Sequence, residues 1–257
     1  MERINRTNEI WAEKVKDLRD NPDHVVSPRG MEVREQVGGQ YTVPMLAYID
    51  NDERKVNYDF MFAEMAWVAG GSNRLDGLTE TMKSYANYSD DGVFLAGAYG
   101  PKIVDQYRYI VDMIAEDEDT RQAHLNIWRE NPRDSKDKPC TTGMTFLVRD
   151  KKLNLSVYMR SHDIVLGATY DMPTFSAVAN SVRLLLKERG LDYELGDLTV
   201  TAASMHLYER HYEKVEEWLE PKNINDKIGE RVLRVMAAET YPEFIDLLKK
   251  ESQNGEA

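Results

Sequence analysis

Apolar positions along the chain switch between a period near 3.6 and a period near 2, the alternation expected where helices pack on a sheet, in an α/β or α+β protein. Ile10, Trp11, Val15 and Leu18 recur at helical spacing before Asn21-Pro22-Asp23, which predicts an N-terminal helix within about residues 1–25. Residues 31–37 and 41–49 read as two strands with Gly38-Gly39 as the turn of a hairpin. Residues 58–69 are an apolar helical stretch carrying one acid, Glu64, and Gly70-Gly71-Ser72-Asn73 ends it. Ile103, Tyr107, Ile110, Val111 and Ile114 mark an amphipathic helix with Pro101 in its first turn, followed by an acidic turn over 116–121.

The second half continues the alternation. Residues 145–148 and 153–158 are β-rich and separated by Arg149-Asp150-Lys151-Lys152, a hairpin signal. Cys140 therefore stands just before a strand and Arg160 just after one. From Pro173 the pattern turns helical through Phe175, Val178, Val182 and Leu185 until Gly190. Residues 198–203 form a strand leading to His206, residues 208–219 look helical, and the polar end, about 252–257, reads as disordered.

With 257 residues, 42% of them hydrophobic and 30% charged, the chain can bury one core, and no linker divides it, so one domain over 1–257 is expected. No apolar run is long enough to cross a bilayer, and Met1-Glu-Arg-Ile lacks the apolar core of a signal peptide, which points to the cytoplasm and to no membrane partner. One cysteine excludes an intrachain disulfide. A net charge of −12 argues against nonspecific attraction to nucleic acid. A small anionic ligand would need a local basic pocket, for which Arg29, Arg34, Arg121 and Arg160 are candidates; Arg34 alone reads as a solvated surface arginine. His124, His162, His206 and His211 show no zinc-ligand spacing, so no metal is expected, and His162 reads as an exposed strand-end histidine.

A solitary cysteine is most often a small buried hydrophobe. Cys140 keeps other company: Pro139-Cys140, then Arg160-Ser161-x-Asp163-x-x-Leu166-Gly167, then His206-x-Tyr208. In order and spacing these motifs resemble those of thymidylate synthases and their pyrimidine hydroxymethylase relatives. The resemblance covers most of the chain and is tight from Pro139 to Tyr208. It implies a mixed β-sheet flanked by helices and a homodimer joined through the sheet face.

The resemblance also implies roles. Cys140 matches the nucleophile that adds to carbon 6 of a pyrimidine, making carbon 5 attack a one-carbon electrophile. Arg160 would lower its thiol pKa and contact the substrate phosphate, with Ser161 as a second donor. The family's early phosphate-binding arginine falls near Arg29 in Ser27-Pro-Arg-Gly30. The pair of arginines lent by the opposite subunit falls on Arg121-Gln122, where Gln122 departs. Glu64 matches the catalytic glutamate that organises water, although alone it would read as an edge residue of an amphipathic helix. Tyr99 matches the tyrosine facing the reacting carbon. His206 and Tyr208 match the pair that hydrogen-bonds the sugar, and Asp163 and Gly167 fall where the family binds both ligands. Tyr85 and Tyr88 stand for two tryptophans on the folate side, an exchange that would let water reach an exocyclic methylene.

Base choice hangs on one position. Thymidylate synthases carry asparagine in a Pro-Phe-Asn segment after Leu-Gly; here the segment is Ala168-Thr-Tyr-Asp171. An ionised carboxylate accepts from the exocyclic amine of cytosine but cannot donate to a uracil carbonyl. Asp171 thus resembles the cytosine selector of the deoxycytidylate hydroxymethylases, while an N-cap for a helix starting at Pro173 is the competing use. Thr141 and Met159 also depart from the methylating members, and no Pro-Val-Ala-Ile-like segment of the kind that closes over folate is present. The resemblance implies transfer of a one-carbon unit from 5,10-methylenetetrahydrofolate to dCMP followed by hydration, as in nucleotide modification by bacterial viruses, hence in a host cytoplasm. Alternatives are a methyl product with folate as reductant, and a nucleotide-binding protein without chemistry.

Overall fold

Strict alternation of apolar and polar residues in the long strands buries one face of a sheet and leaves the other partly open. In the computed structural model, which describes residues 2–45, 48–50, 54–131, 134–219 and 226–254, the elements follow in this order. They are α1 (Glu2–Asp20), β1 (His24–Val26), β2 (Val33–Pro44), α2 (Tyr58–Ala69), α3 (Asp76–Thr79), α4 (Gly100–Glu116), β3 (His124–Asn126), β4 (Thr141–Arg149), β5 (Lys152–Met159), β6 (His162–Asp163), α5 (Leu166–Glu188), β7 (Glu194–Tyr208), α6 (Val215–Leu219), α7 (Asp226–Met236) and α8 (Tyr241–Glu251).

The described strands form one seven-stranded sheet ordered β1-β2-β7-β5-β4-β3, with β6 beside β7. It is mixed: β7 runs parallel to β5 and β6 and antiparallel to β2. A parallel pair needs a crossover, and α5 provides it, burying Phe175, Val178, Val182 and Leu186 in the core beside β5 and β7. In β5, Leu153, Leu155, Val157 and Met159 are buried while Asn154, Ser156 and Tyr158 take the other face. The tight turn of the β4–β5 hairpin places Asp150 and Lys151 both at positive φ, 51° and 60°, the twist that suits a two-residue hairpin.

Helix α2 is apolar nearly all round, so it is enclosed, packing against both α5 and α8. Its bounds match the sequence pattern, and the β4–β5 hairpin forms where expected, with β4 beginning four residues earlier than the β-rich run 145–148. The first hairpin does not form. One continuous strand, β2, runs through Gly38 and Gly39 and pairs along its length with β7. Gly38 takes φ 70° without shifting the register, since Val37 faces Ser204 and Gly39 faces Ala202 on either side of it. A glycine absorbs that conformation cheaply, so the doublet is a kink inside a strand. The strand ends at Pro44; Leu46 and Ala47 of the expected second strand lie outside the described residues. The first helix closes at Asp20, ahead of β1, within its expected span.

Helices α7 and α8 are not among the elements that the periodicity predicts. A local signal for α8 was present in Thr240-Tyr-Pro-Glu243: the Thr240 hydroxyl accepts from the Glu243 amide at 3.4 Å, and Glu243 reaches back to the Glu239 amide at 2.9 Å. Buried Arg231 on α7 joins α8 to α2, donating to Glu251 at 3.1 Å and Asp59 at 2.7 Å and lying over the Phe62 ring at 4.7 Å. Ser252 and Asn254 continue the end of α8, bonding Lys249 and Glu251 at 2.7 Å, so the disorder expected from about 252 does not begin there; residues 255–257 lie outside the described residues.

Removing Arg231 leaves Glu251 buried with fewer cationic partners, and breaking such a pair costs about 3 kcal/mol. Arg231→Ala is expected to lower the unfolding free energy by about that amount in urea titrations.

Candidate active site

Cys140 is placed by an irregularity in the sheet. From Arg149↔Lys152 to Gly143↔Tyr158 the β4–β5 register is constant, then it slips by one residue so that Thr141 faces Met159. The slip brings Cys140 opposite Arg160, whose backbone amide donates to the Cys140 carbonyl at 2.8 Å. A bulge re-aims side chains in this way. The Arg160 side chain then folds back along the Cys140 loop. Its Nε donates to the Pro139 carbonyl at 2.9 Å, its Nη2 to the Lys138 carbonyl at 3.1 Å, and the same Nη2 lies 3.7 Å from the Cys140 Sγ. The guanidinium sits 5.8 Å from the Trp128 ring centre. From below, the Tyr99 hydroxyl accepts from the Cys140 and Thr141 amides at 3.2 and 3.3 Å.

Burial pushes the Cys140 thiol above its ordinary pKa; Arg160 and Arg29 pull it down, while Asp171 and Asp137 oppose them. The expected lowering by Arg160 is therefore present but outweighed. In a pocket that excludes water, desolvation of a thiolate is the larger effect.

Glu64 projects from α2 toward the same place. Burial, aided by the negative charge of Asp171, raises its pKa to about 7. Tyr85 donates to its Oε1 at 2.6 Å, its Oε2 is buried, and the Tyr85 and Thr174 hydroxyls act against the rise in its pKa. The reading of Glu64 as the edge of an amphipathic helix does not hold, because that helix is enclosed on almost every side.

Asp171 is the charge common to the pocket, raising the pKa values of Cys140, Glu64, Tyr41, Tyr85 and Tyr99. It is not an N-cap. Helix α5 begins at Leu166, two turns before Pro173, which it carries internally. The start is held by Asp163, whose Oδ1 accepts from the Val165 and Leu166 amides at 2.8 and 3.1 Å. Asp171 is thus free of capping, with its side chain one-fifth exposed and its Oδ2 3.3 Å from His162 Nδ1. Gly167 makes room for it, since a Cβ there would stand 3.3 Å from that oxygen.

The remaining residues fall into two groups. Asp163 pairs with His206 across β6 and β7, and the His206 ring meets Tyr208 edge-on at 5.1 Å; burial lowers the His206 pKa. Ser161 lies between Arg160 and that pair. Arg29, exposed on a turn with φ 56°, still acts electrostatically on Cys140. Tyr88 is 53% exposed and stands edge-on to Tyr85 at 5.9 Å. Arg121 joins none of them. It is exposed in the turn Asp117–Gln122 before β3, lining a cavity of about 460 Å³ with Asp117, Asp119, Thr120 and Gln122.

Arg34 is not a free surface residue either, since it donates to the Arg19 carbonyl and lies over Tyr212 at 4.4 Å. Sequence reasoning missed Asp137, which accepts from the Gly97 amide at 2.7 Å, and Tyr41, which looked like strand core. It also misplaced His162, which is fully buried. Its position inside the Arg-Ser-x-Asp motif was the available signal. Among the described residues, no cluster of three or more His, Cys, Asp or Glu is arranged to hold a metal ion, and no helix is long and apolar enough to cross a membrane.

Two measurements follow from the electrostatics. Arg160→Gln removes the nearest positive charge, so Cys140 is expected to react with iodoacetamide more slowly at neutral pH, its rate rising only at higher pH than in the unsubstituted protein. For Glu64, the folded pKa of about 7 exceeds the ordinary 4.5, so the native state holds the extra proton between those values and stability falls as pH rises across that window. Thermal unfolding of Glu64→Gln should lack that slope.

The thymidylate synthase family model matches residues 25–228. A deoxyuridylate hydroxymethyltransferase of Bacillus phage SP01 is 31% identical over 209 residues, 72% of this chain and 52% of that protein. One of Pseudomonas phage M6 is 31% identical over 172 residues, covering 63% and 48%. A thymidylate synthase of Corynebacterium aurimucosum is 25% identical over 178 residues, 65% of each. The chain spans about half the length of the two phage relatives. With the mixed sheet, the Pro139-Cys140 loop and Arg160 at its side, the match over 25–228 establishes that this chain belongs to the thymidylate synthase family.

Proposed function

We propose that this chain is a deoxycytidylate 5-hydroxymethyltransferase, acting as one catalytic domain in the cytoplasm of a cell or of a virus-infected host. The observation that carries the reading is Asp171, an uncapped carboxylate in the pocket of Cys140, at the position where thymidylate synthases have asparagine. A carboxylate accepts from the exocyclic amine of cytosine and repels a uracil carbonyl, and an unmatched polar group there costs about 1–3 kcal/mol.

Cys140 adds through Sγ to carbon 6 of the base, and ring nitrogen 3 takes a proton as charge builds, with Asp171 beside it. Arg160, Ser161 and Arg29 bind the phosphate, and His206 with Tyr208 binds the sugar hydroxyl. 5,10-Methylenetetrahydrofolate supplies the one-carbon unit. Exposed Tyr88, edge-on to Tyr85, offers an aromatic rim for the flat ring system of the folate, and Asp163 and Gly167 are assigned to both ligands by the resemblance. Carbon 5 bonds to the one-carbon unit and gives up its proton, the bond from that unit to the folate nitrogen breaks and tetrahydrofolate leaves, water adds to the resulting exocyclic methylene, and the Cys140 bond breaks, so no net oxidation or reduction is required. Glu64, with a pKa of about 7 and a buried Oε2, is suited to hold and orient that water. Tyr99 keeps the Cys140 loop in place.

A homodimer joined by the sheet face accompanies this reading. Arg121 lies apart from Cys140 within one protomer, and the open face of β5 presents Asn154, Ser156 and half-exposed Tyr158. In the dimer Arg121 would complete the partner's phosphate site. The two phage relatives are named for deoxyuridylate, which favours the hydroxymethyl ending but also a second reading with dUMP as substrate.

Mass spectrometry of products from dCMP, dUMP and CMP with 5,10-methylenetetrahydrofolate decides between them. A 5-hydroxymethyl product is expected from dCMP, with Asp171→Asn moving the preference toward dUMP and Cys140→Ala abolishing turnover. Turnover of dUMP alone would overturn Asp171 as selector, a methyl product with dihydrofolate would replace the hydration step, and full turnover by Cys140→Ala would sink the covalent route.

A further inference from the structure

His162 occupies a place that nothing in the proposed reaction uses. It sits on β6, between the end of β7 and the first turns of α5, with its ring fully buried. Burying an imidazole is costly unless its nitrogens find partners. Here Nε2 is hydrogen-bonded to the Tyr41 hydroxyl at 2.9 Å, on β2, whereas Nδ1 lies 3.3 Å from Asp171 Oδ2, on α5, and makes no hydrogen bond of good geometry among the described residues. The Tyr41 and His162 rings are also neighbours, tilted by 33° with centres 5.7 Å apart. Strand β2, far away in sequence, thus meets the consecutive elements β6 and α5 in one polar cluster of Tyr41, His162 and Asp171.

The surroundings are shaped for this chain. A Cβ at Gly167 would stand 3.3 Å from Asp171 Oδ2 and 3.6 Å from His162 Nδ1, so the glycine leaves the space that imidazole and carboxylate share. Burial, with the Asp171 charge added, keeps the Tyr41 hydroxyl protonated. A Tyr41 hydroxyl that donates to Nε2 puts the ring hydrogen on Nδ1, the nitrogen beside Asp171.

We propose that His162 is a specificity-positioning residue: held by Tyr41, it places an N–H on Asp171 Oδ2 and so fixes the carboxylate with Oδ1 turned to the exocyclic amine of the base. The inference rests on Asp171 as base selector. Its physical content is that a carboxylate held by one second partner keeps its acceptor orientation, whereas an untethered one can rotate or take up a proton and lose its preference for an amine over a carbonyl. This matches the way outer partners orient the groups that touch a ligand elsewhere. His162 does not touch the substrate in this scheme; it acts through Asp171.

The test measures kcat and KM for dCMP and dUMP in the full chain and in three variants. His162→Gln, whose amide reaches toward Tyr41 but not Asp171, is expected to reduce the dCMP-over-dUMP ratio of kcat/KM about tenfold, chiefly through KM for dCMP. His162→Asn, whose amide replaces Nδ1, should recover much of the ratio, and Tyr41→Phe should lose less than His162→Gln. In an Asp171→Asn background the same His162 changes should leave the ratio unmoved. Nitrogen-15 NMR of the His162 ring supplies a readout independent of catalysis and of the preferred base: Nδ1–H in the unsubstituted protein, perturbed by Asp171→Asn.

A dCMP preference that survives His162→Gln in a folded protein would overturn the inference while leaving Asp171 as selector. A preference for dUMP in the unsubstituted protein would overturn the selector reading; the NMR signal would then decide by itself whether His162 holds Asp171, with Nε2–H and no response to Asp171→Asn refuting it.

Discussion

The site depends on a one-residue slip at the end of the β4–β5 hairpin. Without it Arg160 would face Thr141, and the cysteine would have no cation beside it. With it, Cys140 and Arg160 become neighbours through a backbone hydrogen bond of 2.8 Å, and the arginine closes the Lys138–Cys140 loop with its own side chain. The turn Asp150-Lys151 at the far end sets the register from which the slip departs. Both ends of the hairpin are therefore part of the chemistry of a single side chain.

Around that thiol the protein sets charges against burial. The pocket is enclosed enough for desolvation to raise Cys140 and Glu64 alike, and the Asp171 carboxylate pushes both in the same direction. Arg160 and Arg29 oppose the effect on the thiol. Glu64 at about 7 stands at the point where a carboxyl both gives and takes protons near neutrality.

The hydrophobic architecture serves this arrangement by its depth. Enclosed α2 can hold one carboxyl toward the pocket because α5 and α8 cover its other sides, and Tyr85, packed against Phe60 at 5.2 Å, aims a hydroxyl at that carboxyl. Asp163 holds the start of α5 and leaves Asp171, two turns on, free for another task. Two aspartates that look alike in sequence thus carry different loads.

Local pattern alone determined the bounds of α2, the β4–β5 hairpin and the placement of Cys140 before a strand and Arg160 after one, because these rest on periodicity and turn chemistry over a few residues. The order of Pro139-Cys140, Arg160-Ser161-x-Asp163-x-x-Leu166-Gly167 and His206-x-Tyr208 also carried the family. Tertiary structure decided the rest. Gly38-Gly39 reads as a turn until β7 supplies a partner on both sides of it, and Pro173 reads as a helix start until Asp163 begins the helix two turns earlier. His162 passes for an exposed strand end until Tyr41 and Asp171 close around it. The glycine doublet and His162 were settled by β7 and Tyr41, distant along the chain, whereas the start of α5 rests on Asp163, a local cap that Pro173 overshadows in the sequence; pairing, burial and desolvation between distant residues leave no mark on the local alternation of apolar and polar positions.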